Sequence, residues 1–143
     1  MKQSLTSTHL ELHVTDFEKT KEYYQKLGFK VVWERIPEED KGYLVMQRDQ
    51  NILCFWPGNE YAYEQPYFKK FSKDTVRGYG VEIVITIDDI ESFYSQVKDT
   101  ANVVEELQTK PWGLRDFRVA DPFGYYLRFT EPDNILSEDN AIK

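Results

Sequence analysis

The feature that most constrains the fold is an internal repeat across the 143 residues of the chain. The segment "HLELHVTD" alternates apolar and polar residues and ends at Asp16, and "VEIVITIDD" does the same and ends at Asp89. Such alternation predicts a strand with one buried face, and an Asp at its end favours the start of a helix. His9 and Glu82 each stand seven residues before the Asp of their segment. We therefore expect two copies of one supersecondary unit.

The first copy is predicted to run strand, helix and three further strands. Apolar residues recur at helical spacing after Asp16, and Gly28 stands where such a helix would end. "FKVVWER" predicts the second strand, and "IPEEDKG" predicts a polar loop. "YLVMQRD" and "NILCFWP" then predict a hairpin around Asp49 and Gln50.

The second copy repeats this order. A helix is predicted after Asp89, a strand at "NVVEEL", a loop at "TKPWG", and a hairpin of "LRDFRVA" and "YYLRFTE" around the turn "DPFG". We predict one α+β domain of two βαβββ units, at about 5–64 and about 80–132. A connector at about 65–79, rich in aromatic rings, and a polar tail at 133–143 complete the chain.

The spacing also relates the two copies residue by residue. From His9 to Cys54 is 45 residues, and from Glu82 to Arg128 is 46. We therefore expect His9 to be equivalent to Glu82, and Cys54 to Arg128. Strand alternation directs all four side chains away from the apolar face of their sheet.

Composition limits the classes of partner. The formal net charge of −7 disfavours nucleic acid, because binding to phosphates needs a basic surface, and it is compatible with cationic ligands. The lone Cys54 excludes an intrachain disulfide, and no apolar run approaches the length of a membrane span. Because the first residues also lack an apolar signal core, we expect a soluble cytoplasmic protein that contacts no membrane.

Two stretches carry a family resemblance, "LHVTDFEKTKEYYQKLGFKV" near the start and "PWGLRDFRVADPFGYYLRFTEP" near the end. With the duplicated βαβββ unit, they resemble the vicinal oxygen chelate superfamily, which includes glyoxalase I, bleomycin-resistance proteins and extradiol dioxygenases. The second stretch is most similar to the bleomycin-resistance branch. The resemblance implies a concave mixed sheet with helices outside, a ligand cleft and a homodimer.

Metal-using members of the superfamily place ligands at positions that correspond here to His9, Cys54, Glu82 and Arg128. A guanidinium presents only hydrogen-bond donors, so Arg128 cannot bind a cation. We predict that Arg128 forms an ion pair with Glu82 and that the protein takes no metal or other cofactor. The alternative is one divalent metal, such as Zn, Ni, Mn or Fe, held by His9, Cys54 and Glu82.

The resemblance and the strand alternation together suggest a site for a small molecule. Trp112 and Trp56 offer flat faces to a planar or cationic ligand. The predicted ligand-binding residues are His9, Glu11, His13, Cys54, Trp56, Glu82, Trp112, Tyr126 and Arg128. We predict no catalytic residue and expect a binding protein of the bleomycin-resistance type. It would sequester a partly aromatic ligand, with a cationic group as an optional feature. The alternatives are a metal-dependent lyase, isomerase or transferase of the glyoxalase type, and an interaction module whose cleft is vestigial.

Overall fold

The computed structural model describes residues 8–38, 41–57 and 63–140. The chain divides into two compact units. The first comprises Met1–Tyr79 with Pro122–Gly124, and the second comprises Gly80–Asp121 with Tyr125–Lys143. No helix in the described ranges has the length and hydrophobicity needed to cross a membrane.

The described residues of the first unit include β1 (Glu11–Val14), α1 (Phe17–Lys26), β2 (Lys30–Glu38), β3 (Lys41–Arg48) and β4 (Asn51–Pro57). The four strands form a mixed sheet in the order β1-β4-β3-β2. Strands β1 and β4 are parallel, and the other neighbouring strands are antiparallel. A turn of 3₁₀-helix follows the sheet at Phe68–Lys70, within the predicted connector.

Local sequence explains the start and end of α1. The Asp16 carboxylate accepts a hydrogen bond from the Lys19 backbone N–H at 3.0 Å, which satisfies one of the free donors of the first turn. After the helix, Gly28 adopts a φ of +87°, a conformation that glycine tolerates best. Between these residues the helix buries Tyr24, whose ring lies 5.1 Å from that of Phe55 in β4. The predicted helix is therefore confirmed.

The polar loop predicted at "IPEEDKG" is wrong for the residues that the structure describes. Strand β2 continues through Ile36 and Pro37 to Glu38, and β3 already begins at Lys41. Residues 39 and 40 lie outside the described ranges. The physical reason is that β2 is an edge strand. Proline has no backbone N–H, and at an edge strand this missing donor can face solvent, as the polar side chains do.

The second unit repeats the arrangement with β5 (Glu82–Thr86), α2 (Ile90–Val97), β6 (Val103–Thr109), β7 (Arg115–Ala120) and β8 (Tyr126–Thr130). Its sheet has the order β5-β8-β7-β6. Asp89 caps α2 by accepting a hydrogen bond from the Ser92 backbone N–H at 3.1 Å. Phe93 of α2 contacts Phe129 of β8, with 5.0 Å between ring centroids. A 3₁₀ turn lies at Glu138–Asn140 in the predicted tail.

The register of the parallel strands supports the predicted equivalence of the two copies. In the first unit Glu11 lies opposite Cys54, and in the second Val84 lies opposite Arg128. Each of these β1 and β5 residues stands two positions after the residue that begins the proposed repeat, His9 or Glu82. The two parallel pairs therefore share one register, and the predicted α+β fold of two βαβββ units is confirmed.

Candidate functional site

In both units, one face of the sheet packs on the helix and the other carries the predicted site residues. In the first unit Leu53 and Phe55 of β4 are buried on the helix side, so Cys54 and Trp56 point the opposite way. In the second unit Leu127 and Phe129 of β8 play the same role. We call the two faces that lie opposite the helices the polar faces of the first and second sheets.

On the polar face of the first sheet, Glu11 accepts a hydrogen bond from the Tyr43 hydroxyl at 2.6 Å. His9 Nε2 lies 3.6 Å from the same Glu11 oxygen. Burial raises the pKa of Tyr43, and the Glu11 carboxylate and the Cys54 thiol raise it further. Tyr43 therefore stays protonated and acts as a donor, so the Glu11 carboxylate already has a partner.

His13 belongs to a second cluster on this face. Its Nδ1 accepts a hydrogen bond from Arg77 Nε at 3.1 Å, and Arg77 Nη2 donates to the Tyr63 hydroxyl at 3.0 Å. The imidazole lies against the Trp56 ring, with 4.4 Å between centroids. Burial, followed by the charge of Arg77, lowers the pKa of His13 to about 4. His13 is therefore neutral near pH 7 and serves as an acceptor.

Cys54 is buried, with 5% of its surface exposed, and lies opposite Glu11 in β1 and Val45 in β3. This register is the one the spacing predicts. Val45 is apolar, and the Glu11 carboxylate already accepts the hydrogen bond from the Tyr43 hydroxyl at 2.6 Å, so these two residues do not form an organised base for the thiol.

The polar face of the second sheet carries a network of charged side chains centred on Asp116 of β7. The Asp116 side chain is fully buried, and its two oxygens accept hydrogen bonds from Arg118 Nη1 at 3.1 Å and from Arg128 Nε at 2.9 Å. Arg118 Nε also donates to Glu82 at 2.5 Å, and its Nη1 to Glu105 at 3.3 Å. Lys110 completes the network as an ion pair with Glu105.

The predicted ion pair between Glu82 and Arg128 is therefore wrong in its partners. Glu82 is bound by Arg118, and Arg128 is bound by Asp116. The cause is the strand order, which puts β8 between β5 and β7. The long side chain of Arg118 reaches from β7 past β8 to the carboxylate on β5, and the shorter Asp116 side chain binds Arg128 on the neighbouring strand.

Trp112 lies in the loop between β6 and β7, beside this network. Its indole faces Arg128, with 5.2 Å from the guanidinium carbon to the ring centroid, and just over half of its surface is exposed. Tyr126 lies opposite Glu82 in the β5–β8 register, on the same polar face. The structure thus brings Trp112 and Arg128 together and leaves more than half of the Trp112 surface exposed.

Sequence reasoning missed seven residues of these clusters, which are Tyr43, Tyr63, Arg77, Glu105, Lys110, Asp116 and Arg118. For two of them the signal was present in "LRDFRVA", where Asp116 and Arg118 alternate with Phe117 and Val119 and so share the polar face. No local pattern marks Arg77, because it contacts His13 across 64 positions of sequence.

Comparison with known proteins identifies the family. The model of the Glyoxalase/Bleomycin resistance protein/Dioxygenase superfamily matches residues 6–129. The chain belongs to this superfamily. A search among curated protein sequences gives no match.

Several solved structures share the fold of this chain. A bleomycin-binding protein in complex with bleomycin is 20% identical, with a TM-score of 0.60 over 90% of this chain and all of the other. A bleomycin resistance determinant encoded on transposon Tn5 is also 20% identical, with a TM-score of 0.61 and the same shares covered. A glyoxalase-related enzyme from Fulvimarina pelagi is 17% identical, with a TM-score of 0.65 over 90% of this chain and 89% of its own. At these identities the likeness concerns the fold alone.

The four positions of the superfamily's metal ligands hold a donor set that does not fit a divalent ion as it stands. His9 is half-exposed beside Glu11, Cys54 is buried, Glu82 is bound by Arg118, and Arg128 is a cation. Across the described ranges, no three His, Cys, Asp or Glu side chains form a group that could hold a metal. Whether the protein takes a metal in solution stays a prediction.

Proposed function

We propose that this protein is a metal-free, non-catalytic binder that sequesters a small, partly aromatic molecule. The observation that carries the proposal is the state of the superfamily's ligand positions. A guanidinium stands at position 128, and the neighbouring Glu82 is already held by Arg118. Among these four described positions, the one carboxylate is already engaged and one residue is itself a cation, which disfavours both proton transfer and cation binding.

Aromatic rings support the binding part of the proposal. Trp56 lies half-buried on the polar face of the first sheet, beside His13. Trp112 lies half-exposed at the edge of the polar face of the second sheet, beside Arg128. Flat aromatic faces contribute contact area at small cost in conformational entropy. The names of two similar structures, a bleomycin-binding protein and a bleomycin resistance determinant, favour sequestration of a drug-like molecule. A cationic group on the ligand would be favoured by the net charge of −7.

A cytoplasmic location and a homodimer are further parts of the proposal. The location rests on the absence of any possible intrachain disulfide, since the chain has a single cysteine. The homodimer rests on the family alone.

The test combines metal analysis with ligand screening. Protein purified without a histidine tag is offered Zn²⁺, Ni²⁺, Mn²⁺ and Fe²⁺, dialysed and analysed for metal, and we expect far less than one equivalent. A panel of aromatic compounds is then screened by thermal shift, and at least one should stabilise the protein, by about 2.7 kcal/mol at 100 times its Kd.

Two other outcomes would support the alternatives. Nearly one equivalent of metal, lost in His9→Ala, would indicate a glyoxalase-type enzyme. No stabilisation by any compound, with no metal retained, would indicate an interaction module.

A further inference from the structure

The guanidinium of Arg128 is held by a hydrogen bond from its Nε group, and its two Nη groups are available as further donors. Its Nε donates to Asp116 Oδ2 at 2.9 Å. Among the residues that the structure describes, neither Nη1 nor Nη2 of Arg128 makes a hydrogen bond within the protein. The side chain keeps 20% of its surface exposed, so it is not sealed from a ligand.

Asp116 makes this arrangement rigid. Its carboxylate is fully buried and is also held by Arg118, which in turn is held by Glu82 and Glu105. Charge-assisted hydrogen bonds of this kind fix the plane of a guanidinium. The Arg128 donors therefore do not need to be ordered when a ligand arrives, which lowers the entropic cost of binding.

Trp112 adds an aromatic surface beside those donors. Its ring centroid is 5.2 Å from the Arg128 guanidinium carbon, and 54% of the residue is exposed. A guanidinium presents its N–H groups as a planar fork that matches a carboxylate. A flat ring that carries a carboxylate could therefore accept hydrogen bonds from Arg128 and lie against the indole at the same time.

We propose that Arg128 and Trp112 bind an aromatic carboxylate, with the Arg128 Nη groups donating to the carboxylate and the Trp112 indole contacting the ring. This inference rests on the proposed binding function and specifies one end of its ligand. It adds an anionic group to the description, independently of any cationic group elsewhere on the molecule.

The test uses two probes with the same ring and opposite charge, 2-naphthoate and 2-naphthylmethylamine, in calorimetric titrations of the full chain. We expect the carboxylate to bind at least about tenfold more tightly than the amine, because only the carboxylate can accept charge-assisted hydrogen bonds from the guanidinium. Arg128→Gln should weaken 2-naphthoate binding at least about tenfold, and Trp112→Ala should weaken it several-fold.

Matched variants separate local effects from loss of charge or of folding. Arg128→Lys keeps a cation beside Asp116 but loses the planar fork of the guanidinium. This variant should fold, and it should bind 2-naphthoate more weakly than the parent does. Arg115→Gln removes one positive charge from the helix side of the same sheet, where Arg115 binds Glu91 at 3.2 Å, and should leave the affinity unchanged. Trp33→Ala, in the first unit, is the control for Trp112→Ala.

The possible results distinguish this inference from the proposed function. Binding of the amine alone, or 2-naphthoate binding unchanged in both Arg128 variants, would overturn the inference and leave a binding protein. If no compound of the aromatic panel binds, the proposed function fails and the inference fails with it.

Discussion

The carboxylate of Asp116 is fully buried and holds two guanidinium groups on the second sheet. Replacing it by Asn should leave the charges of Arg118 and Arg128 without their shared partner. We expect Asp116→Asn to lower the free energy of unfolding by about 3 kcal/mol, since breaking a buried ion pair costs about 3–5 kcal/mol and these guanidiniums are partly exposed. Urea unfolding would show this as a lower midpoint with an unchanged slope.

Glu91→Gln is the control for Asp116→Asn. Glu91 also binds an arginine, Arg115, but 73% of its side chain is exposed. Exposed ion pairs contribute about 0–1 kcal/mol, so this variant should unfold almost as the parent does. Equal midpoints for the two variants would contradict the structural role of the buried network.

His13 should make stability depend on pH. Its pKa is lowered from 6.5 to about 4 in the folded protein, so between these values the unfolded chain binds a proton that the folded protein does not. The free energy of unfolding should therefore fall as the pH decreases through this window and level off below it. Because the ring is only half-buried, solvent screening reduces the expected loss to about 1–2 kcal/mol.

The measurement is urea unfolding of the parent and of His13→Gln across that pH range. The variant should lose this part of the pH dependence, while His9→Gln, at an exposed position two residues before β1, should retain it. A His13→Gln profile parallel to that of the parent would show that Arg77 and burial do not hold His13 neutral.

The two Asp residues that cap helices make the repeat testable at the level of elements. Asp16 and Asp89 each accept a hydrogen bond from the backbone N–H three residues later. We expect Asp16→Ala and Asp89→Ala each to cost about 1 kcal/mol of unfolding free energy. The double variant should lose the sum, since the caps share no partner.

Asp88→Ala is the matched control for these caps. Asp88 is exposed directly before the cap of α2 and accepts no capping hydrogen bond. Its replacement should change stability by less than about 0.5 kcal/mol. A loss equal to that of Asp89→Ala would mean that net charge, and not capping, explains the effect.

At this scale the sequence predicts what depends on neighbours along the chain. The caps, both helices and both hairpins follow from local residue types, and alternation assigns Cys54 and Arg128 to the polar faces. Partners across strands do not follow from such patterns. Arg118 binds Glu82 only because β8 separates their strands at a distance that a long side chain can cross. The extension of β2 through Pro37 likewise depends on its edge position, which the sequence does not reveal.

The whole molecule should be a homodimer, which the family resemblance implies. Light scattering coupled to gel filtration should give twice the 17.0 kDa mass of one chain. A mass of one chain at every concentration tested would contradict this expectation.

The charge network around Asp116 spans three strands, so the residue types at its positions are not independent of one another. A carboxylate at position 128 would remove one of the two guanidiniums bound to Asp116 and place a like charge beside it. Arg118 would still hold Glu82, so that carboxylate would remain engaged. Sequence changes on β5, β7 and β8 should therefore co-vary, because a change at one position leaves a charge on a neighbouring strand without its partner.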